Sequence, residues 1–169
     1  IVGMGAFAVE NARTALESGA AHVTVVCRRM GTVCPKIIDY SNFTTPWDEQ
    51  FQHDKRGNVR QMARWRKLYQ LSGCHVPPTW PQQIKPKGHT ISVSDIWFVA
   101  HKMGKLDTVV GVIDTLDKEG VLLADGTRIP CDVVVPCVGF ERNTGLCERL
   151  TGKSTVCTTN YLAPNLMYL

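Results

Sequence analysis

The sequence has no long hydrophobic run. None of its apolar stretches approaches the ~20 residues that a membrane-crossing helix needs, so no membrane segment is predicted. It also lacks any C-x-x-C pair. The seven cysteines are Cys27, Cys34, Cys74, Cys131, Cys137, Cys147 and Cys157, an odd count. That pattern speaks against a structural zinc site, a thioredoxin-like redox pair and a secreted disulfide scaffold. It points instead to a reducing, cytoplasmic setting. The five histidines show no metal-ligand spacing and no H-E-x-x-H, so no metal is predicted. Neither sign of charge dominates, with 19 Lys and Arg against 15 Asp and Glu. A net charge of +4 suits an anionic small molecule but is not the footprint of a nucleic-acid binder. There is no internal repeat and no low-complexity segment.

What is present is the material of a globular domain. The 169 residues are 44% hydrophobic and 20% charged, enough for one ordinary domain with a full core. The chain opens on the last residues of an apolar strand and stops within the apolar run Asn165-Leu166-Met167-Tyr168-Leu169. It therefore reads as a fragment of a larger protein.

Residues 1–29 read as strand, turn, helix, strand. The helix is expected over residues 6–18, with Ala8, Ala12, Ala15 and Leu16 on its packing face and Gly19 as its stop. Residues 22–27 form a β-branched run suited to a buried parallel strand. Cys27 and Cys137 sit in apolar strand patterns and read as small core residues.

Residues 30–92 change character. Pro, Trp, Tyr, His and Arg become frequent and the strand periodicity is lost, so this stretch is expected to be a helical and irregular insert. Residues 57–71 look helical. Val59, Met62, Ala63 and Tyr69 fall near one face, while Arg56, Arg60, Arg64 and Lys67 line another. Ser72-Gly73 stops this helix and Pro77-Pro78 prevents its resumption. A short helix over residues 94–103 follows, capped by Ser94 and ended by Gly104.

Strands return over residues 108–114 and 120–123. Ala124-Asp125-Gly126-Thr127 supplies a hairpin turn. Residues 132–137 read as a further buried strand, followed by Val138-Gly139-Phe140.

The chemistry-bearing motif is Gly3-x-Gly5-x-x-Ala8. In this pattern the first glycine makes a tight turn, and the second removes any side chain from the path of a pyrophosphate. The small third residue lets the helix pack close to the strand. Ala6 and Phe7 open the helix, whose N-terminal N–H groups and dipole favour phosphate. The second strand then ends Cys27-Arg28-Arg29, with no acidic residue to hold ribose hydroxyls. Two guanidiniums there suit the 2′-phosphate of NADPH.

The segments Gly120-Val121-Leu122-Leu123-Ala124-Asp125-Gly126-Thr127 and Asp132-Val133-Val134-Val135-Pro136-Cys137-Val138-Gly139-Phe140 complete a pattern. It resembles the end of the NADPH domain in flavin-containing monooxygenases and related flavoproteins with two dinucleotide-binding domains. The tail Ala163-Pro164-Asn165-Leu166-Met167-Tyr168-Leu169 is similar to the strand before that family's second FAD-contacting glycine segment. The resemblance covers residues 1–29 and about 93–169. Two departures stand out: Val138 replaces a common Thr, and Phe7 stands where Ser or Thr is usual, so one phosphate hydrogen bond is lost.

The resemblance implies an α/β, Rossmann-like NADP-binding domain over residues 1–140, with a parallel sheet, the 30–92 insert and a β-hairpin. Residues 141–169 would begin the return to an FAD-binding domain, the rest of which would be the chain's partner together with a small-molecule substrate. The implied cofactors are NADPH and FAD, and the implied activity is flavin-dependent oxygenation. A flavin-dependent reductase without oxygenation and a non-catalytic NADP-binding module are the alternatives. By this reading Gly3, Gly5, Ala6, Phe7, Ala8, Arg28 and Arg29 bind NADPH, and Gly139 and Phe140 border the cofactor cleft. No acid, base or nucleophile is assigned. Trp47, Trp65, Trp80 and Trp97 read as packing residues, the arginine stripe as a solvated face, and Asp95, His89 and His101 as non-catalytic.

Overall fold

The computed structural model describes residues 1–44, 55–80, 91–139 and 149; for residues 42–43 and 55–61 it describes the backbone alone. The chain divides into two compact units, Ile1–Val138 and Gly139–Leu169. Of the second, only Gly139 and Arg149 are described.

The first unit is mixed α/β. Its elements run α1 (Ala6–Glu17), β1 (Val23–Cys27), β2 (Val33–Cys34), α2 (Lys36–Thr44), α3 (Lys55–Ser72), β3 (Ser92–Val93), α4 (Ile96–Lys102), β4 (Leu106–Val110), β5 (Ile113–Asp117), β6 (Gly120–Leu123) and β7 (Arg128–Ile129). β1 and β4 pair in parallel over five residues, from Val23 opposite Leu106 to Cys27 opposite Val110. On the other side of β1, Val2 bridges Val26 in parallel, and Val2 also bridges Pro136 in parallel. The backbone bonds are short: Gly3 N to Val26 O at 2.8 Å, Val26 N to Ile1 O at 2.8 Å, Val2 N to Val135 O at 2.9 Å and Cys137 N to Val2 O at 2.7 Å. The lateral order is therefore β4, β1, residue 2, residue 136, all parallel.

β1 shows why this strand lies at depth. Val23, Val25 and Cys27 join the main core, and Val26 on the opposite face packs with Val121 and Leu123 of β6. Both faces of β1 are thus covered. α1 contributes Val9 and Ala12 to the main core, and Ala8 is fully buried beside them. On the other face lies the antiparallel sheet β5-β6-β7.

Residues 30–92 are not an appendage to this core. β2 pairs in parallel with β3, a strand pair the lost periodicity conceals. Around it, Trp65, Tyr69 and Trp80 pack edge-to-face, with ring centroids 5.0 and 5.1 Å apart, and Tyr69 meets Phe98 at 5.1 Å. Their polar atoms are satisfied. Trp65 Nε1 donates to Val33 O at 2.9 Å, and the Tyr69 hydroxyl accepts from Val33 N at 2.8 Å and donates to Val33 O at 3.0 Å. Trp80 Nε1 donates to Thr32 Oγ1 at 2.9 Å. Trp65, Trp80 and Trp97 are core residues, while Trp47 lies outside the described residues.

Four sequence expectations need correction. The strand expected over 108–114 is two strands. The chain leaves the parallel sheet after Val110 and enters the antiparallel one at Ile113, crossing at Gly111, where a Cβ would lie 2.8 Å from Leu123 Cδ1. The buried strand expected over 132–137 reduces to the single bridge at Pro136, and Val133 is 73% exposed. Proline offers no N–H to extend the ladder. Ala63 is exposed, because the buried side of α3 follows Trp65, Tyr69 and Ser72, with Met62 half-buried. Cys137 is half-buried rather than a core residue. Arg64 and Lys67 are exposed, as a solvated face requires, and the side chains of Arg56 and Arg60 lie outside the described residues.

Three helix ends follow the expected glycine stops. α1 ends in bonds from Gly19 N to Leu16 O and from Ala20 N to Ala15 O. α3 and α4 repeat this at Gly73 and Gly104. Ser94 Oγ accepts from Trp97 N at 3.3 Å and so caps the start of α4.

Candidate functional site

The carboxyl ends of the parallel strands carry Gly3, Gly5, Ala6, Phe7, Ala8, Arg28 and Arg29. Residue 2 feeds Gly3, Met4 and Gly5, and α1 starts at Ala6. Gly3 and Gly5 are glycines for different reasons. Gly3 has φ +116, and a Cβ there would run into the carbonyl of Cys137. Its need for glycine comes from the chain itself: the neighbouring strand segment lies too close for a side chain. Gly5 has an ordinary extended backbone, φ −95 and ψ −175, and among the described residues a Cβ there would meet nothing within 4 Å. It is the N-cap of α1, a position that favours Ser, Thr, Asp or Asn, yet it makes no side-chain cap bond. Among the described residues nothing requires glycine at this position, and the space beside it is open.

The N–H groups of Gly5, Ala6 and Ala8 have no backbone acceptor among the described residues. Together with the helix dipole they form an anion-favouring end. Ala8 is fully buried, so the helix does pack close to the strand, as the motif's third small residue predicts.

Arg28 and Arg29 follow β1 directly and both are exposed. Gly3 N bonds Val26 O, so Arg28 stands two residues further along the neighbouring strand, about 7 Å at strand rise. Neither arginine forms an ion pair among the described residues. Gly139 is exposed with φ +100 and belongs to the second unit, and Phe140 lies outside the described residues.

One contact at this end escapes sequence reading. Asn11 Nδ2 donates to Phe7 O at 2.8 Å and to Cys137 Sγ at 3.5 Å. It ties the first turn of α1 to the strand segment beyond Gly3, across 126 residues. The only sequence signal was the i, i+4 spacing of Phe7 and Asn11.

The opposite end of the sheet holds a cleft of about 420 Å³, lined by Ile1, Ala15, His22, Cys131, Asp132 and Val134 among others. It contains none of the predicted site residues. Its volume is that of a ligand pocket, but it lies at the amino ends of the strands and has no arginine or lysine among its described lining residues.

Three buried thiols are held protonated. Burial pushes the Cys27 and Cys74 thiols up to about 11 and that of Cys34 to about 12, so none offers a thiolate at neutral pH. His101 is held by Trp97 O at 2.7 Å and Thr108 Oγ1 at 3.1 Å, and burial lowers its pKa below the ordinary 6.5. Asp95 accepts from Lys36 N at 2.9 Å, and His89 lies outside the described residues. Among the described residues no cluster of His, Cys, Asp or Glu is arranged to hold a metal, and no helix is long and apolar enough to cross a membrane. No family model matches the chain, and no curated protein or solved structure matches it.

Proposed function

We propose that this chain binds NADPH at the carboxyl ends of its parallel strands and is the NADPH-binding part of an FAD-dependent monooxygenase. One observation carries the binding half of this reading. The strand order β4, β1, residue 2, residue 136 is all parallel, and the glycine turn leaves from residue 2. A doubly wound, Rossmann-like sheet begins with the same order, its first strand flanked by the second and fourth. Such sheets bind dinucleotides where the first strand gives way to the helix.

The residues present fit the cofactor. The open space at Gly5 and the N–H groups of Gly5, Ala6 and Ala8 would receive the pyrophosphate. Arg28 and Arg29, on the adjoining strand end, would hold the 2′-phosphate through planar, charge-assisted bonds. NADPH supplies a hydride when bound. The chain's own residues bind, orient and discriminate, and no residue described at this end of the sheet is assigned to donate or accept a proton. The flavin enters the reading through the resemblance of residues 120–140 and 163–169 to flavin-containing monooxygenases. Oxygen uptake dependent on both NADPH and FAD tests that half.

The binding half is tested by comparing NADPH with NADH. Losing charge-assisted bonds to a phosphate costs about 1.5–3 kcal/mol. The expected preference for NADPH is therefore about ten- to a hundredfold, and Arg28→Asp should abolish it. Equal affinities in the unsubstituted chain would remove the arginines from the site.

A further inference from the structure

We propose that Asn11 is a positioning residue for the dinucleotide, holding the first turn of α1 in the form that receives the pyrophosphate. The inference rests on the NADPH reading above and adds to it a residue that acts through the backbone. From within, the first turn of α1 is lightly held. Its N-cap, Gly5, makes no side-chain cap bond, and the first backbone bond of the helix, from Val9 N to Gly5 O, is 3.2 Å long. An uncapped helix start frays readily. Ordering it only when a ligand arrives would cost affinity.

Asn11 supplies a tether from outside that turn. Helix side chains lean toward the N-terminus, so a residue in the second turn reaches back over the first. The Asn11 amide nitrogen carries two N–H groups. It donates to Phe7 O at 2.8 Å and to Cys137 Sγ at 3.5 Å. Cys137 is itself fixed to the strand that feeds the turn. Its N–H donates to Val2 O at 2.7 Å, and its carbonyl lies where a side chain on Gly3 would have to go. The contacts close a ring from Val2 through the glycine turn to Phe7, across Asn11 to Cys137, and back to Val2. Gly5 and Ala6, whose N–H groups face the proposed pyrophosphate site, lie within that ring. Both donors of the Asn11 amide are used inside the chain, which leaves none for a phosphate and makes the residue a brace.

The test is calorimetric titration of the 169-residue chain with NADPH and with adenosine 2′-monophosphate, which carries the phosphate assigned to the arginines and lacks the pyrophosphate. Asn11→Leu keeps the side-chain size and removes both donors. It should weaken NADPH about three- to tenfold and leave the monophosphate within about twofold. Cys137→Ala, which removes one acceptor, should weaken NADPH by a smaller factor, and Asn11→Leu should cost less in that background than in the original chain. The unchanged monophosphate also reports that each variant is folded. Should Asn11→Leu fail to fold, Cys137→Ala decides with the same two ligands. A merely structural role would lower the denaturation midpoint and leave both affinities as they were. That result, or an equal loss on both ligands, would overturn the proposal while leaving the NADPH reading in place. If the unsubstituted chain binds neither ligand, the NADPH reading itself fails, and this inference with it.

Discussion

The two ends of the parallel sheet differ in kind. The amino end has a cleft of about 420 Å³ with largely apolar walls, an acidic residue and, among the described residues, no arginine or lysine. The carboxyl end has a glycine turn, a helix start and two exposed arginines. A concave shape alone would favour the first. An anionic ligand needs donors and positive charge, which only the second supplies. On the proposed reading, recognition of a dinucleotide would rest on backbone N–H groups and guanidiniums rather than on cavity volume.

The contrast between Gly3 and Gly5 sharpens this, because one glycine serves the fold and the other is free to serve a ligand. Gly3→Ala should have the largest effect of any single change here. It forces a side chain into a positive-φ position and against the Cys137 carbonyl, costing about 3 kcal/mol or more, measurable by urea denaturation. Gly5→Ser should separate the two roles. Stability should stay within a few tenths of a kcal/mol or rise, since serine is a better N-cap than glycine. NADPH binding should fall at least tenfold by titration, because the side chain enters the phosphate path. A Gly5→Ser chain that binds NADPH normally would return Gly5 to the same ordinary status as any exposed cap.

A smaller effect should come from His101, which lines neither the cleft nor the glycine turn. Its folded pKa lies below its ordinary 6.5, mainly through burial. The unfolded chain therefore binds the extra proton more readily, and stability should be full above about 6.5 and decline as pH falls through the folded value. His101→Gln should flatten that decline in denaturation curves taken between pH 7 and pH 5, with NADPH affinity at pH 7 unchanged.

Much of this arrangement was legible in the sequence where local chemistry decides it. Gly19, Gly73 and Gly104 end their helices through bonds that need only the neighbouring residues. The β6 strand and its turn at Gly126 were equally plain, since the Asp125 side chain and a positive φ close the loop locally. Failures arose where distant parts decide. β2 and β3 are two residues each, too short to show a period, and form because Trp65, Tyr69 and Trp80 close around them. The break at Gly111 answers to Leu123 on another strand. At the site, the glycines and arginines were readable by type, whereas the different duties of Gly3 and Gly5, and the Asn11 tie to Cys137, depend on a segment more than a hundred residues away.

Backbone amide chemical shifts followed during an NADPH titration test the choice between the two ends most directly. The largest changes should fall on Gly5, Ala6, Phe7, Ala8, Arg28 and Arg29, with those of His22, Cys131, Asp132 and Val134 small. Changes concentrated on that second group, at the amino-end cleft, would contradict the account.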